Sequence, residues 1–406
     1  MELYTLDRNY SRVDVIEEFY SVIWTERFYG DGECEVVVPL RADLFDKLAE
    51  GTLLIIDRST EPMIIETRTV EDGRIKVIGI SVLSWLNNRF VRNSVDHRKT
   101  NWKITNQRAG EILWTIVKQM CTDKSTIIGT NKMGLGTAAR ERELIIPDLE
   151  LGSQDTSGKK ISKVLVPYGP VYDALRTIAE QYKVGMKITL KDSDQTLRFR
   201  SYKGTNRTSK KSANPNNPIV RFSPTMDSLA SINELRSIAE FKTLVYSYAS
   251  SLEKIDTADN NSDPDTWLQQ DNKPGVSRRT KEEGKYTGFD LRAKLLLVDN
   301  IKVKNDLDEE DKNGPEDTVP KKRAELLDIL NNRADKELKQ NEYIRTVDGE
   351  VAPTNLFQYG RDYDLGDIIE VQGNTSLVEV SRVTEYIRTQ SSEGEKSYPT
   401  VVAIDP

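Results

Sequence analysis

The chain has 406 residues and a formal net charge of −7, with 37% apolar and 30% charged residues. This acidic balance argues against a protein whose main task is to grip phosphate backbones, and Cys34 and Cys121 are too few for a disulfide framework and lack C-x-x-C spacing. No run approaches eighteen apolar residues and no apolar h-region follows MELYTLDRNY, so a soluble, cytoplasmically made chain with no membrane segment is expected.

Residues 1–95 read as mostly β. Segments at Glu2–Leu6, Val13–Ile16, Ser21–Phe28, Cys34–Leu40, Thr52–Asp57, Met63–Val70 and Arg74–Ile80 are rich in branched and aromatic residues. Turn residues separate them, and Asp72-Gly73 has the composition of a type I′ hairpin loop, which needs positive φ at both positions. Short strands at this spacing suggest a small barrel or sandwich.

Residues 96–205 add helices. Ala109, Ile112, Leu113, Ile116, Val117 and Met120 recur at helical spacing, and a second helix begins at Gly169-Pro170. Met186–Leu190 and Leu197–Ser201 read as a β-pair, making this an α+β segment. Residues 206–303 form a third segment. Ile219–Phe222, the alternating Phe241–Ala249 and Leu295–Val303 are its strands, and a polar excursion occupies 250–286. The fourth segment, 304–406, opens with seven carboxylates between Asp306 and Asp317, read as solvated loop. A helix follows from Pro320 to about Gln340 with Leu327, Leu330, Ala334 and Leu338 on one stripe, then strands at Glu342–Val347, Asp367–Gln372, Leu377–Arg388 and Tyr398–Ile404. The fold class is α+β, β-rich and multidomain.

Candidate chemistry is sparse. His97 is the only histidine, which excludes multi-histidine zinc sites, and it lies in a polar linker. Gly129 and Gly134 match the start of a P-loop, but Leu135 and Gly136 stand where its lysine and hydroxyl belong. Gly134, Gly136 and Ala139 fit G-x-G-x-x-A, yet Pro147 cuts short the helix a dinucleotide site requires. Asp259, Asn261 and Asp263 have EF-hand spacing, but Pro264 takes the glycine position and Gln270 replaces the bidentate glutamate. Asp306, Asp308 and Glu310 fail in the same way. A glycosidase needs a carboxylate pair, one of them with a raised pKa, and no sequence environment marks such a pair. Trp24, Trp85, Trp102 and Trp114 read as core anchors, whereas Trp267 reads as a contact residue. In FQYGRDYDLGDIIEVQ, Phe357–Gln372, the carboxylates of Asp362, Asp364 and Asp367 are read as turn formers beside Gly360 and Gly366, delivering the strand of Ile368, Ile369 and Val371. No catalytic, cofactor-binding or metal-binding residue is assigned, and no cofactor is expected.

Five segments carry a family resemblance: Ser21–Leu40, Met63–Arg89, Gly169–Leu190, Tyr202–Pro224 and Tyr359–Gln372. In this order and spanning nearly the whole chain, they resemble the siphophage tail proteins described as tail-tip, baseplate-hub or minor tail proteins. The resemblance implies a homotrimeric, non-enzymatic virion hub at the tail tip, with two barrel-like domains per subunit around a lumen that closes the tail tube and later passes genomic DNA without specific binding. Residues 1–95 and parts of the chain after 219 are the barrel candidates. Implied partners are a distal tail ring protein, a tape measure protein and receptor-binding or tail fibre proteins. The alternatives are a tail-associated enzyme degrading cell wall or glycan, and a module binding host glycans through 250–286. The chain departs from the pattern where Arg278-Arg279 is followed by Thr280-Lys281 rather than an acidic residue.

Overall fold

The computed structural model describes residues 1–91, 101–122, 144–191, 193, 195–210, 217–249, 252–254, 276–298, 301–303, 323–351, 356–375 and 378–404. The positions of His97, both glycine patterns, Trp267 and the acidic insert lie outside them. The chain groups into two compact units, one of residues 1–233 with 347–406 and one of residues 234–346. The sequence divides at 95, 205 and 303.

The first unit opens with β1 (Leu3–Leu6), β2 (Arg12–Ile16), β3 (Ser21–Arg27) and β4 (Glu33–Pro39). A short helix α1 (Ala42–Lys47) follows, then β5 (Leu53–Ile56), β6 (Met63–Glu71) and β7 (Arg74–Ser81). Asp72 and Gly73 close the β6–β7 hairpin with φ of 50° and 69°, the left-handed pair that a type I′ turn demands. Alternation turns one face of these strands inward. Leu3, Val22, Trp24, Val36, Val38, Leu54, Ile56, Met63 and Val77 meet in one core, capped by Leu44 and Leu48 at α1. A register shift between Ile65 and Thr67 bends β6 around it.

The α+β segment supplies β8 (Phe90–Val91), β9 (Asn101–Gln107), α2 (Ala109–Val117), β10 (Leu149–Leu151), β11 (Ile161–Pro167), β12 (Gly169–Pro170), α3 (Val171–Tyr182), β13 (Gly185–Lys191) and β14 (Thr196–Tyr202). Glu111 caps α2 by accepting from the Arg108 backbone N–H at 2.8 Å. The apolar stripes of α2 and α3 pack on β13 and β14 through Ile112, Ile116, Leu175, Ile178, Ile188 and Phe199. The α2 stripe read from the sequence is therefore the buried one.

After β15 (Arg221–Phe222), the chain leaves the first unit along β16 (Leu229–Ser237). The second unit holds β17 (Leu244–Ala249), β18 (Leu252–Lys254), β19 (Val276–Thr280), β20 (Ala293–Val298), β21 (Ile301–Val303) and α4 (Arg323–Gln340). Its main sheet has the order β19-β17-β20. Val245, Leu296, Ala334 and Leu338 join that sheet to α4, whose buried stripe runs through Leu326 and Leu330, with Leu327 only half-buried. Arg279 grips Asp335 with two hydrogen bonds of 2.7 and 2.8 Å, fixing α4 over β19.

The chain returns along β22 (Ile344–Val351) and ends in β23 (Ile368–Gln372), β24 (Val378–Ser391) and β25 (Gly394–Ala403). These last three strands do not stand apart. The order β15-β23-β24-β3-β4-β7-β6-β5-β1-β2, with β25 also on β24, makes them part of the sheet begun by β1–β7. The 14-residue β24 is long enough to pair with β23 through its first half and with β3 through its second, Glu385 opposite Arg27 and Ser391 opposite Ser21. A small core of Phe28, Phe222, Tyr363, Ile369, Val383 and Tyr386 seals this junction.

Candidate functional site

The densest polar chemistry of the first unit lies inside the β3–β24 junction. Along β3 the inward register reads Val22, Trp24, Glu26 and then Phe28, so the strand's own period carries a carboxylate inward, where it is only 5% exposed. Arg388 arrives from β24 by the same logic and donates from Nη1 to Glu26 Oε1 at 2.7 Å. Its Nη2 donates to the Arg58 carbonyl at 3.3 Å, and its guanidinium lies 4.7 Å over the Tyr386 ring. Tyr359 stacks on Tyr386 with centroids 3.7 Å apart.

Glu61 completes the cluster at 1% exposure. Ser59 Oγ donates to Glu26 Oε1 at 2.7 Å and accepts the Glu61 backbone N–H at 3.2 Å, while Ser81 Oγ bonds Glu61 Oε1. The remaining oxygen, Oε2, has no partner. Burial first, and the neighbouring Glu26 second, push the Glu61 carboxyl up to about 8, against the pull of Ser81 and Lys187. Burial beside a second acid makes ionising Glu61 costly, so near neutral pH its carboxyl is held toward the protonated form, while the Arg388 guanidinium goes to Glu26. This is the carboxylate pair that no sequence environment marked. Both members are sealed, and the principal grooves among the described residues are lined by other side chains. The pair is placed to tie strands together, out of a substrate's reach.

A second lock sits at Phe357–Gln372. Asp362 Oδ2 accepts the Gln358 N–H at 2.7 Å and closes the first turn. Asp367 does more than form a turn. It is buried, accepts the Thr205 and Asp364 N–H groups at 2.6 and 3.0 Å, and takes the Arg207 guanidinium at 2.5 Å. Next to it, Glu370 binds Arg221 through two donors and Ser209 through its N–H and hydroxyl. These pairs fasten Thr205, Arg207, Ser209 and Arg221 to β23 and the turn before it. Asp364 is exposed and lends the turn its backbone. Asp364→Asn is therefore expected to shift unfolding free energy by no more than about 0.5 kcal/mol. Urea denaturation checks this, and a loss of function in well-folded Asp364→Asn protein would return that carboxylate to the list of catalytic candidates.

Sequence reasoning missed Glu26, Arg207, Arg221, Glu370 and Arg388 because each pairs across a long stretch of chain, and Glu61 because only the fold brings Glu26 and Ser81 beside it. One signal was available: a charged residue at the inward phase of an otherwise apolar strand, as Glu26 is in SVIWTERF. Burial also pushes the Cys34 and Cys121 thiols up to about 12, making them inert core groups. Among the described residues no cluster of three or more histidine, cysteine or acidic side chains is arranged to hold a metal, and no helix is long and apolar enough to cross a membrane.

Comparison with known proteins now bears on this arrangement. No curated protein sequence matches the chain. Among solved structures, the 43 kDa tail protein of prophage MuSo2 from Shewanella oneidensis is similar at a TM-score of 0.53 and 9% identity, over 99% of this chain and 98% of that one. The tail protein from Neisseria meningitidis MC58 is similar at a TM-score of 0.49 and 11% identity, over 100% and 96% of the two chains. For prophage tail protein gp18 from Listeria monocytogenes EGD-e the TM-score is 0.49 and the identity 9%, over 100% and 95%. The first of these shows a shared fold along the entire chain. Residues 1–401 match the family described as Siphovirus ReqiPepy6 Gp37-like protein, in agreement with the resemblance carried by the five sequence segments, and the chain belongs to this family of siphovirus tail proteins.

Proposed function

We propose that the chain is a structural subunit of a phage tail tip or baseplate hub, three copies of which form a ring that closes the tail tube and channels DNA at infection. The observation that carries this reading is the outer face of the β19-β17-β20 sheet. Its inner face is taken by α4, yet the register sets Tyr246 beside Leu295 and Tyr248 beside Leu297 on the other side, with Leu295 63% and Leu297 56% exposed. A contiguous apolar patch of aromatic and aliphatic side chains marks an assembly contact. The distal tail ring, the tape measure protein and receptor-binding or fibre proteins are the neighbours this role requires. Net charge of −7 suits a lumen through which DNA slides rather than sticks. Function then rests on symmetry and interfaces, without a catalytic group, cofactor or metal.

Sedimentation and negative-stain imaging of the full chain test it. A particle of three chains with three-fold symmetry is expected, and Leu295→Asp, placed on an exposed position, should weaken assembly at least about tenfold while leaving the subunit folded. A chain that stays monomeric at the highest attainable concentration, or a ring of another symmetry, would overturn the proposal.

A further inference from the structure

A groove of ≈ 420 Å³ opens where the β1–β2 turn, the short 3-10 helix Val82–Asn88 and the residues just before β10 converge, all within the first unit. Its volume falls in the range of small-ligand sites. Tyr10 and Trp85, each half-buried, supply aromatic walls, and Arg8, Asn88, Arg89 and Asp148 supply polar ones. The geometry points to a binding site for a saccharide unit, one pyranose ring packed on Tyr10 or Trp85 with its hydroxyls shared between Asp148 and the Arg8 and Arg89 guanidinium groups.

Backbone strain is the first observation behind it. Asp7 Oδ1 accepts the Asn9 and Ser11 N–H groups, both at 2.8 Å, and the Tyr10 N–H donates to the Asp7 carbonyl at 3.1 Å. This turn forces Tyr10 to φ 61°, a left-handed conformation that is uncommon for a bulky residue and costs on the order of 1–2 kcal/mol. Asp148 on another wall of the groove is held at φ 60°. A bulky residue strained at the wall of a cavity marks a place where side-chain direction matters more than local stability, whereas Asp148 takes the left-handed region at little cost.

Polar satisfaction is the second. Arg89 is anchored, donating from Nε to the Leu144 carbonyl at 2.5 Å and from Nη1 to the Asn88 carbonyl at 3.0 Å. Arg8 and Asp148, both exposed, make no side-chain hydrogen bond or ion pair among the described residues, and Asp148 acts on Tyr10 only through its charge. An acceptor-only carboxylate and a donor-only guanidinium beside aromatic faces match vicinal hydroxyls, which donate and accept at once while presenting C–H faces to the rings. A phosphate would be drawn to the arginines and repelled by Asp148, whereas a neutral hydroxylated ring can use all three groups.

Saturation-transfer NMR on the full chain, with glucose, galactose, rhamnose and N-acetylglucosamine as probes and glycerol 3-phosphate as the anionic competitor, tests the assignment. At least one sugar is expected to bind with a Kd of about 1 mM, and Arg8→Ala and Asp148→Asn are each expected to weaken it about tenfold with circular dichroism unchanged. Absence of binding by all four sugars, or sugar binding that both variants leave intact, would overturn it. So would glycerol 3-phosphate binding that Asp148→Asn strengthens, which would identify an anion site.

Discussion

Gly204→Ala is expected to cost more than about 4 kcal/mol of unfolding free energy, although it adds a single methyl group. A Cβ at position 204 would overlap the carbonyl carbon and oxygen of Gly366 and the Asp367 nitrogen, all backbone atoms with no rotamer to yield. The two segments must approach this closely because Asp367 reaches back to the Thr205 N–H and the Arg207 guanidinium. Pushing them apart would leave a buried carboxylate without its cation, a loss of about 3–5 kcal/mol in comparable sites. Gly366→Val should fail by a different route. Gly366 sits at φ +87°, and a side chain there would meet the Phe28 ring, with Cδ2 and Cζ at 2.7 Å. Gly360→Ala is the control: its φ is +81° but nothing lies within 4 Å, so only the backbone penalty of about 1–2 kcal/mol is expected. Urea unfolding followed by tryptophan fluorescence of a Trp267→Phe background reports on this region, since Trp24, Trp85, Trp102 and Trp114 belong to the first unit. A Gly204→Ala chain within 1 kcal/mol of wild type would show that the close approach is not required.

The same residues show which parts of the fold can be read in a sequence. The seven strands of residues 1–81 are legible because each carries its own period, and Asp72-Gly73 fixes one register by local backbone chemistry alone. Helix α2 is legible for the same reason. What escapes is pairing at a distance. Nothing local in EYIRTQS says that Arg388 lies beside Glu26, 362 residues earlier in the chain, because β24 and β3 are chosen for each other by the fit of whole faces. FQYGRDYDLGDIIEVQ shows both cases within one stretch. The turn at Gln358–Asp362 and the strand after it are local, whereas the role of Asp367 depends on Arg207. The groove at Tyr10 was invisible for a third reason: a strained φ is imposed by the turn around it and leaves no mark in composition.

Glu61→Gln is expected to remove several kcal/mol of pH dependence from the stability of the first unit. The Glu61 carboxyl is raised from 4.5 to about 8 in the fold. Below pH 4.5 folded and unfolded chains both carry the proton, and the cluster's contribution is fully present. Between pH 4.5 and 8 the unfolded chain releases that proton while the fold retains it, so stability is lost at up to about 1.4 kcal/mol per pH unit, and the loss levels off above 8. Glutamine has the shape of the protonated acid and cannot ionise. The variant should therefore match wild type within about 1 kcal/mol at pH 4.5 and exceed it by several kcal/mol at pH 8.5, in urea unfolding at each pH. An advantage of equal size at both values would place the proton elsewhere. Arg388→Met provides the converse. With its guanidinium removed, Glu26 stays buried without a cation beside Glu61, and a loss of about 3–5 kcal/mol at neutral pH is expected. The double variant Arg388→Met with Glu61→Gln should be more stable than Arg388→Met alone at neutral pH, because glutamine removes the proton release that favours the unfolded chain. Strict additivity of the two changes would mean that Arg388 and Glu61 are not coupled and that Arg388 answers to Glu26 alone.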